Sequence, residues 1–262
     1  IYGGVSTGFK ASAWNISRDS RPTANEIAGL ATAGTPVGPN TTVGTRYANP
    51  EKAEVLELGA KIALPSGYLN IAIFDQEIED FQTNTFVGTG FVLANAGSQS
   101  ADGYEFDLVI SPTENIDLAV SGLFIDPIYD SYVGAAPGDL SGTVPSNTPE
   151  DTISSTVTWN YNVKGWDSFL RISHLYSSQA KLLENPAHQA LIEAKGNGYK
   201  EQDTLNLTAG FEKDNISIKI WGKNINDDKF LTSAFIGTAD LSETTFYGYP
   251  NSFKSYGMTI NY

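Results

Sequence analysis

The sequence contains no cysteine, a single methionine and few basic residues. The absence of cysteine excludes disulfide bridges, thiolate metal sites and a cysteine nucleophile. Sixteen Lys and Arg stand against 30 Asp and Glu, which gives a formal net charge of −14. This balance argues against nucleic acid as a partner, because phosphate contacts need clustered cations. No run of about 18 apolar residues occurs, so a transmembrane helix is also excluded.

Aromatic residues, in contrast, are abundant. They make up 11% of the chain, with 13 Tyr, 13 Phe and 4 Trp, while hydrophobic residues reach 40% and charged residues 18%. The hydrophobic content predicts a folded chain. Soluble cores rarely need so much Tyr, whereas membrane interfaces favour rings that carry a polar end.

Apolar and polar residues alternate with period two through much of the chain. One segment runs from Leu56 to Leu64, and another from Leu205 to Phe211. In total we predict about ten strands of roughly ten residues each, a length that suits tilted strands crossing a bilayer. Strands of soluble sandwiches are typically shorter, about five or six residues.

Short and long connections alternate strictly between these strands. The short ones contain Pro65-Ser-Gly67, Pro112-Thr-Glu-Asn115, Val163-Lys-Gly165 and Asp214-Asn215. The long ones cover 16–49, 82–101, 126–151, 177–202 and 226–251, and one of them predicts a short helix over 187–195 that Asn185 caps. This pattern is typical of a transmembrane antiparallel up-and-down β-barrel. We therefore predict an all-β fold, with residues 1–262 in one barrel domain.

The two faces of the predicted strands differ in polarity. The apolar set is expected to face outward, and Gly, Ser, Thr, Asn and charged residues are expected to face the lumen. We predict that the lumen-facing charges pair structurally across the lumen; they are Glu57, Lys61, Glu105, Asp107, Lys219 and Lys223.

Three local patterns suggest chemistry, but each lacks its required context. Gly4-Val-Ser-Thr-Gly8 matches a serine-hydrolase elbow, yet it lies within a strand rather than at a strand–turn–helix junction. His174 and His188 lack organised zinc-ligand spacing. The loop carboxylates, among them Asp126 and Asp139, lack the EF-hand pattern. We therefore expect no enzyme, no metal site and no cofactor.

A dense polar cluster begins where the first long connection leaves its strand. It includes Asn15, Arg18, Asp19 and Arg21. A network of ion pairs that fixes the loop is the simpler interpretation. The alternative is contact with an anionic ligand such as a ferric chelate, because Arg offers planar bidentate donors to carboxylate or catecholate oxygens.

Several ordered motifs give the chain a family resemblance. They are Gly8-Phe-Lys10, Pro50-Glu51, Glu57-Leu-Gly59-Ala-Lys61, Asn95-Ala-Gly97 with Gly103-Tyr-Glu105, and Trp221-Gly-Lys-Asn-Ile-Asn-Asp-Asp228. In this order they resemble the barrel of TonB-dependent outer-membrane receptors. Two departures are Lys254, where the family usually has Arg, and a terminal Tyr262 in place of the commoner Phe.

The resemblance implies a 22-stranded barrel filled by an N-terminal plug. The ten strands here would be the last ten, and residues 256–262 would form the closing strand. Its outward residues Tyr256, Met258, Ile260 and Tyr262 would carry the barrel-assembly signal. The resemblance also implies, as partners, outer-membrane lipid and lipopolysaccharide, TonB, and the plug and remaining strands, which this sequence lacks. The lumen-facing charges would then have a second role, holding the plug.

The leading hypothesis is therefore an outer-membrane receptor of a Gram-negative bacterium. It would take up a scarce nutrient, expected to be a ferric siderophore or similar metal chelate. One alternative is a passive, porin-like channel, in which about ten strands close into a small barrel. The other is a soluble all-β ligand-binding module.

Overall fold

Strands dominate the computed structural model, which describes residues 1–14, 47–87, 90–95, 97–133, 135, 138–236 and 245–262. In chain order the strands are β1 (Tyr2–Lys10), β2 (Ala13–Trp14), β3 (Tyr47–Ala48), β4 (Glu51–Leu64), β5 (Gly67–Glu79), β6 (Gln82–Val87), β7 (Gly90–Asn95), β8 (Ser98–Thr113), β9 (Ile116–Ser131), β10 (Asp151–Val163), β11 (Trp166–Lys181), β12 (Tyr199–Lys213), β13 (Ile216–Lys223), β14 (Leu231–Ile236), β15 (Phe246–Pro250) and β16 (Ser255–Asn261).

Ten of these strands form a single antiparallel sheet in the order β1-β4-β5-β8-β9-β10-β11-β12-β13-β16. Each pairs only with the sheet strands that precede and follow it along the chain, as the up-and-down prediction requires. The predicted short connections are tight turns, with two residues outside the strands at 65–66, 114–115, 164–165 and 214–215. The fold class and the ten predicted strands are confirmed.

The remaining elements lie in the long connections. Three small hairpins pair β2 with β3, β6 with β7, and β14 with β15. The predicted helix is α1 (Pro186–Glu193), and the Asn185 Oδ1 accepts hydrogen bonds from the backbone N–H groups of Ala187 and His188. The cap is thus confirmed. No helix among the described residues is long and apolar enough to cross a membrane.

The strands from β4 to β12 in the sheet are longer than predicted. They contain 13 to 16 residues. The extra residues lie at the ends far from the short turns, as in Ser98–Asp102 of β8, which pairs with β5 although no apolar alternation is present. Outside the lipid, strands can pair through their backbones without an apolar face. The alternation of apolar residues therefore ends before the backbone pairing of the strand ends.

The sheet is open. Strand β1 pairs only with β4, and β16 pairs only with β13, so the two edges do not pair with each other within the described part of the chain. Ten strands therefore do not close here into the small barrel that the passive-channel hypothesis requires. Both edges present unpaired backbone groups to a further strand.

The register places the apolar residues on one face. Leu58 lies opposite Ile73, and Ile73 lies opposite Tyr104. Their side chains are 53%, 59% and 52% exposed, a degree of exposure that fits a face in contact with lipid. We call this the outer face. The next row on the opposite face, the inner face, contains Gly59, Ala72 and Glu105, so the two faces differ in composition, and which of them faces a lumen stays a prediction.

Glycines on the inner face lie beneath aromatic rings of neighbouring strands. Gly210 is opposite Phe169, and a Cβ at Gly210 would lie 2.1 Å from that ring. Gly257 is likewise opposite Trp221, and its added Cβ would lie 2.2 Å from the indole. Each ring therefore occupies the space that a side chain on the partner strand would take, an arrangement known to stabilise glycine in sheets.

We expect Gly210→Val to destabilise the protein by about 1–3 kcal/mol, because the new side chain overlaps the Phe169 ring. Gly210→Val in a Phe169→Ala background is the matched control, since the new side chain there meets no ring. Urea unfolding of the purified full protein in detergent measures both. Equal loss of stability in the two variants would contradict the ring-over-glycine interpretation.

Candidate functional site

Only some of the predicted site residues are among those that the structure describes. The polar cluster of Asn15, Arg18, Asp19 and Arg21 lies outside the described residues, so its role stays a prediction. The six predicted lumen charges all lie on the inner face, because the register connects β4 to β13 strand by strand.

Three of the six inner-face charges contact aromatic or amide groups rather than one another. Lys61 Nζ lies 5.6 Å from the centre of the Tyr2 ring, and Lys223 Nζ lies 5.3 Å from that of Trp221. Asp107 accepts a hydrogen bond of 3.5 Å from Asn70 Nδ2. Ion pairs within the described part of the chain join other residues, among them Lys10 and Glu51. Pairing across a closed lumen remains a prediction.

The predicted assembly signal lies on the free edge of the sheet. Tyr256, Met258 and Ile260 alternate along β16 on the outer face and are exposed, and Tyr262 follows the strand. Met258 lies opposite Ile220 and Ile260 opposite Ile218. Their recognition by an assembly machinery stays a prediction.

An asparagine fixes the outer ends of the first strands, and we call this contact the Asn95 latch. Asn95 Oδ1 accepts from the Asn49 N–H at 2.7 Å, and Asn95 Nδ2 donates to the Asn49 carbonyl at 3.0 Å. The side-chain amide thus bonds both backbone groups of Asn49, as a residue on a neighbouring strand would. Gln82 Nε2 adds bonds to the carbonyls of Asn49 and Ala11. Asn95, the first residue of the Asn95-Ala-Gly97 motif, therefore has a structural role.

A second contact, the Asn224 latch, ends β13 and is formed by Asn224, Asn226 and Asp228. Asn224 is 3% exposed and has a φ of 50°. Its N–H donates to Asn206 Oδ1, its Nδ2 donates to the carbonyls of Asp228 and Ser252, and its Oδ1 accepts from the Asp228 N–H, all at 2.8–3.0 Å. The buried side-chain amide of Asn224 therefore bonds only backbone groups in these contacts, and its backbone N–H bonds the side chain of Asn206.

The rest of the Asn224 latch continues the pairing of β12 beyond the end of β13. Asn226 Oδ1 accepts from the Leu205 N–H at 3.0 Å, and its Nδ2 donates to the Asp203 carbonyl. Asp228 Oδ2 accepts from the Asp203 N–H at 2.8 Å. The side chains of Asn226 and Asp228 thus take the place of a strand beside β12. This role explains why the two residues are spaced by two in the motif that ends at Asp228.

Three aromatic rings and a carboxylate join three of the long connections at the outer end of the inner face. Phe81, Tyr129 and Tyr132 pack with ring centres 5.1–5.5 Å apart. The Glu184 carboxylate lies beside Tyr129 and accepts from the Ser146 N–H at 2.9 Å. A crossing of about 11 residues that starts at Ile116 ends before Tyr129. Tyr129 therefore lies outside the membrane-spanning part of β9. Its pKa is raised, first by burial and second by the negative charge of Glu184.

A cavity of about 770 Å³ lies between the turn after α1 and the segment before β14. Its walls include Tyr199, Phe230 and Phe253, and its rim includes Glu201 and Asp203. This volume is in the range of small-molecule sites. A hydrogen bond to Glu193 raises the pKa of Tyr199 here. Sequence reasoning missed this cavity, because four separate segments of the chain line it.

The other sequence candidates occupy ordinary structural positions. The Gly4–Gly8 pattern lies inside β1, without a following helix, and His188 lies in the first turn of α1. His174 Nε2 is 2.5 Å from Asp203 Oδ1. Hydrogen bonds from Ser141 lower the pKa of Asp139. Within the described part of the chain, no three metal-ligating side chains come together.

The family model described as "TonB dependent receptor-like, beta-barrel" matches residues 1–225. The chain belongs to this family. No curated protein matches it. Among solved structures, the ferric yersiniabactin uptake receptor of Yersinia pestis is 17% identical with a TM-score of 0.71, over 98% of this chain and 33% of that one.

Two further solved structures match with lower TM-scores. A siderophore receptor of Acinetobacter baumannii gives 17% identity and a TM-score of 0.62, over 84% of this chain and 30% of its own. The ferripyoverdine receptor of Pseudomonas aeruginosa gives 12% and 0.59, over 98% and 30%. At these identities the likeness shows the fold alone. The chain spans about a third of the length of each of these receptors.

We expect Asn224→Ala to cost about 1–3 kcal/mol, because it leaves buried backbone groups without partners. Asn224→Gly, which relieves the positive φ, should recover only part of this loss. Asn197→Ala, at an exposed asparagine, should change stability by less than about 0.5 kcal/mol. Urea unfolding compares the three variants. Full recovery with Gly would show that backbone strain, rather than the hydrogen bonds, determines the effect.

The raised pKa of Tyr129 predicts a pH dependence. Its stabilising contribution should be complete below the unfolded pKa of about 10 and lost as the pH rises toward the folded value. Urea midpoints measured between about pH 8 and pH 11 should therefore fall less in Tyr129→Phe than in the native protein. Tyr249→Phe, at a tyrosine 55% exposed, is the control. Parallel pH profiles for Tyr129→Phe and the native protein would contradict the prediction.

Proposed function

We propose that this chain is the C-terminal part of an outer-membrane receptor for the TonB-dependent uptake of a scarce nutrient, a ferric siderophore or similar metal chelate. The observation that carries the proposal is the family match over residues 1–225. The ligand class is supported by the structural relatives, which are receptors for ferric yersiniabactin, a siderophore and ferripyoverdine.

The exposed apolar outer face supports a location in the outer membrane of a Gram-negative bacterium. Leu56, Ile73 and Ile220 would face lipid acyl chains, and aromatic pairs such as Trp159 and Tyr161, with ring centres 4.6 Å apart, lie near the short turns. Aromatic residues at such positions anchor barrels at the lipid interface. Lipopolysaccharide would surround the outer ends of the strands.

The open edges support an incomplete barrel. The missing strands would pair with β1 and β16, and an N-terminal plug would fill the lumen. Ligand capture would take place at the long connections and the outer side of the plug. Movement of the plug through contact with TonB would then admit the ligand, and this step would use residues outside this sequence.

Ligand contact in the first long connection would involve Asn15, Arg18, Asp19 and Arg21. The chain carries a net charge of −14, so an anionic chelate would need local cations to approach. Two Arg side chains provide planar donors for its oxygens.

Uptake of labelled iron tests the proposal. A deletion strain that carries the full-length gene should import iron from at least one ferric chelate, and the purified receptor should bind that chelate. Arg18→Ala with Arg21→Ala should weaken binding by about 10-fold or more, since hydrogen bonds to charged groups contribute about 1.5–3 kcal/mol.

Lys52→Ala with Lys195→Ala provides the control, because both lysines are exposed and lie outside the polar cluster. Binding in this control should match that of the native receptor. Uptake that does not depend on TonB, accompanied by steady ion conductance of the native protein, would instead identify a passive channel.

A further inference from the structure

The cavity beside Tyr199 opens on the outer face of the sheet, on the side away from the inner-face charges. Tyr199, Glu201 and Asp203 alternate along β12 in the same phase as Leu207, which belongs to the outer face. A bilayer crossing of about 11 residues that starts beside the short turn at Lys213 ends near Asp203. The cavity therefore lies just beyond the membrane, on the outer perimeter of the wall. We call it the perimeter cavity.

Aromatic rings from three segments form the apolar part of the perimeter cavity. The Tyr199 hydroxyl is held by a hydrogen bond to Glu193, and Tyr199 remains 41% exposed. Phe230 is fixed through its backbone, which exchanges hydrogen bonds of 3.0 and 3.3 Å with Asn251. Phe253 is 69% exposed. The cavity thus presents exposed ring surface on a hydrogen-bonded frame.

A β-bulge brings a polar side chain to this cavity. In the pairing of β11 with β12, one extra residue is present between Ser177 and Ala180. Ser178 and Gln179 therefore both lie opposite Glu201. Ser178 Oγ accepts a backbone hydrogen bond from β10 at 2.9 Å, whereas Gln179 lines the cavity. Bulges often redirect a side chain toward a site in this way.

Two of the polar side chains in the cavity wall keep their full hydrogen-bonding capacity. No hydrogen bond or ion pair within the described part of the chain uses the side chain of Gln179 or Glu201. A Gln amide both donates and accepts, and a carboxylate accepts. The cavity therefore offers donors and acceptors beside exposed rings.

The charge of the cavity disfavours an anionic ligand such as a ferric chelate or a phosphate. The described lining residues include four carboxylates and one amine, namely Glu193, Glu201, Asp203, Asp228 and Lys229. The amine is already paired, because Lys229 Nζ lies 2.9 Å from Asp227 Oδ2. No three metal-ligating side chains come together among the described residues. A neutral ligand rich in hydroxyl groups fits this wall better than an anion or a metal ion.

We propose that the perimeter cavity binds a saccharide. A sugar ring carries C–H groups on its faces and hydroxyl groups around its edge. The faces would pack on Tyr199 and Phe253, while the hydroxyl groups would bond Gln179 and Glu201. The volume of about 770 Å³ accommodates a short saccharide.

Two sources supply this chemistry, and the first of them rests on the proposed outer-membrane location. Lipopolysaccharide around the barrel would hold its sugars at the height of the cavity. Free sugars in the medium would reach the same opening from outside. In both cases the saccharide would bind on the outside of the wall, separately from chelate capture in the first long connection.

Saccharide titrations of the purified full-length receptor test the proposal. The probes are the delipidated core oligosaccharide of the host lipopolysaccharide and the free disaccharides maltose, lactose and cellobiose. Saturation-transfer NMR measures binding, and at least one probe should bind. Phe253→Ala should raise its Kd by about 10-fold through loss of the ring face, and Gln179→Ala by about 5-fold. Phe253→Tyr, which keeps the ring, should bind as the native receptor does.

Phe235→Ala is the matched control, because Phe235 is also exposed, at 55%, and lies beyond the membrane on β14 but outside the cavity. Its Kd should equal that of the native receptor. Resistance of the unheated barrel to SDS confirms folding of each variant. Binding of the core oligosaccharide alone would identify lipopolysaccharide as the source, and binding of a free disaccharide alone would identify the medium. Either result supports the saccharide site.

Three results would overturn the inference. The first is that none of these probes binds. The second is an unchanged Kd in both Phe253→Ala and Gln179→Ala, which would leave Phe253 as an anchor at the lipid interface. The third is an equal rise of the Kd in Phe235→Ala and Phe253→Ala, which would show that the effect is not specific to the cavity.

The two proposals can fail separately. If the native receptor binds no chelate, while Phe253→Ala still weakens saccharide binding, the chelate is the wrong ligand class and the perimeter cavity stands. If chelate uptake is normal and no saccharide binds, the cavity inference is wrong and the receptor function stands.

Discussion

The main constraint on this fold is that lipid offers no hydrogen bonds to a peptide group. Every backbone N–H and C=O within the bilayer must therefore pair with a neighbouring strand. The sheet from β1 to β16 meets this demand internally along eight of its ten strands, each of which has two neighbours. The two edge strands have one neighbour each, so the same constraint requires further strands beside β1 and β16. The short turns and the alternation of apolar residues serve this pairing.

Side chains complete the pairing where the strands stop. Asn95 bonds both the N–H and the carbonyl of Asn49, and Asn226 does the same across Leu205 and Asp203. Beyond the membrane, water can satisfy these groups, so the latches are not needed for solvation alone. They fix where each long connection leaves the wall, and thereby place the outer residues on which ligand capture would depend.

The sequence predicts the sheet well because lipid on one side and a polar lumen on the other impose a strict period of two, as in 205–211. It underestimates strand lengths because Ser98–Asp102 lies where no lipid imposes that period. The ring over Gly210 depends on register between strands, which a single strand does not encode. The cavity beside Tyr199 requires segments that are distant in sequence to meet, so no local pattern reveals it.

The latches also bear on how such receptors diversify. Every pairing in the sheet joins sheet strands that follow one another along the chain, and the entropic cost of closing a loop grows only slowly with the length of the loop. Residues gained or lost in the connections outside the sheet therefore leave the register of the strands unchanged. Asn95 and Asn224 lie at the boundary between the sheet and the outer connections. The outer connections are thus free to change in sequence and length over evolutionary time, while the wall that carries them is inherited intact.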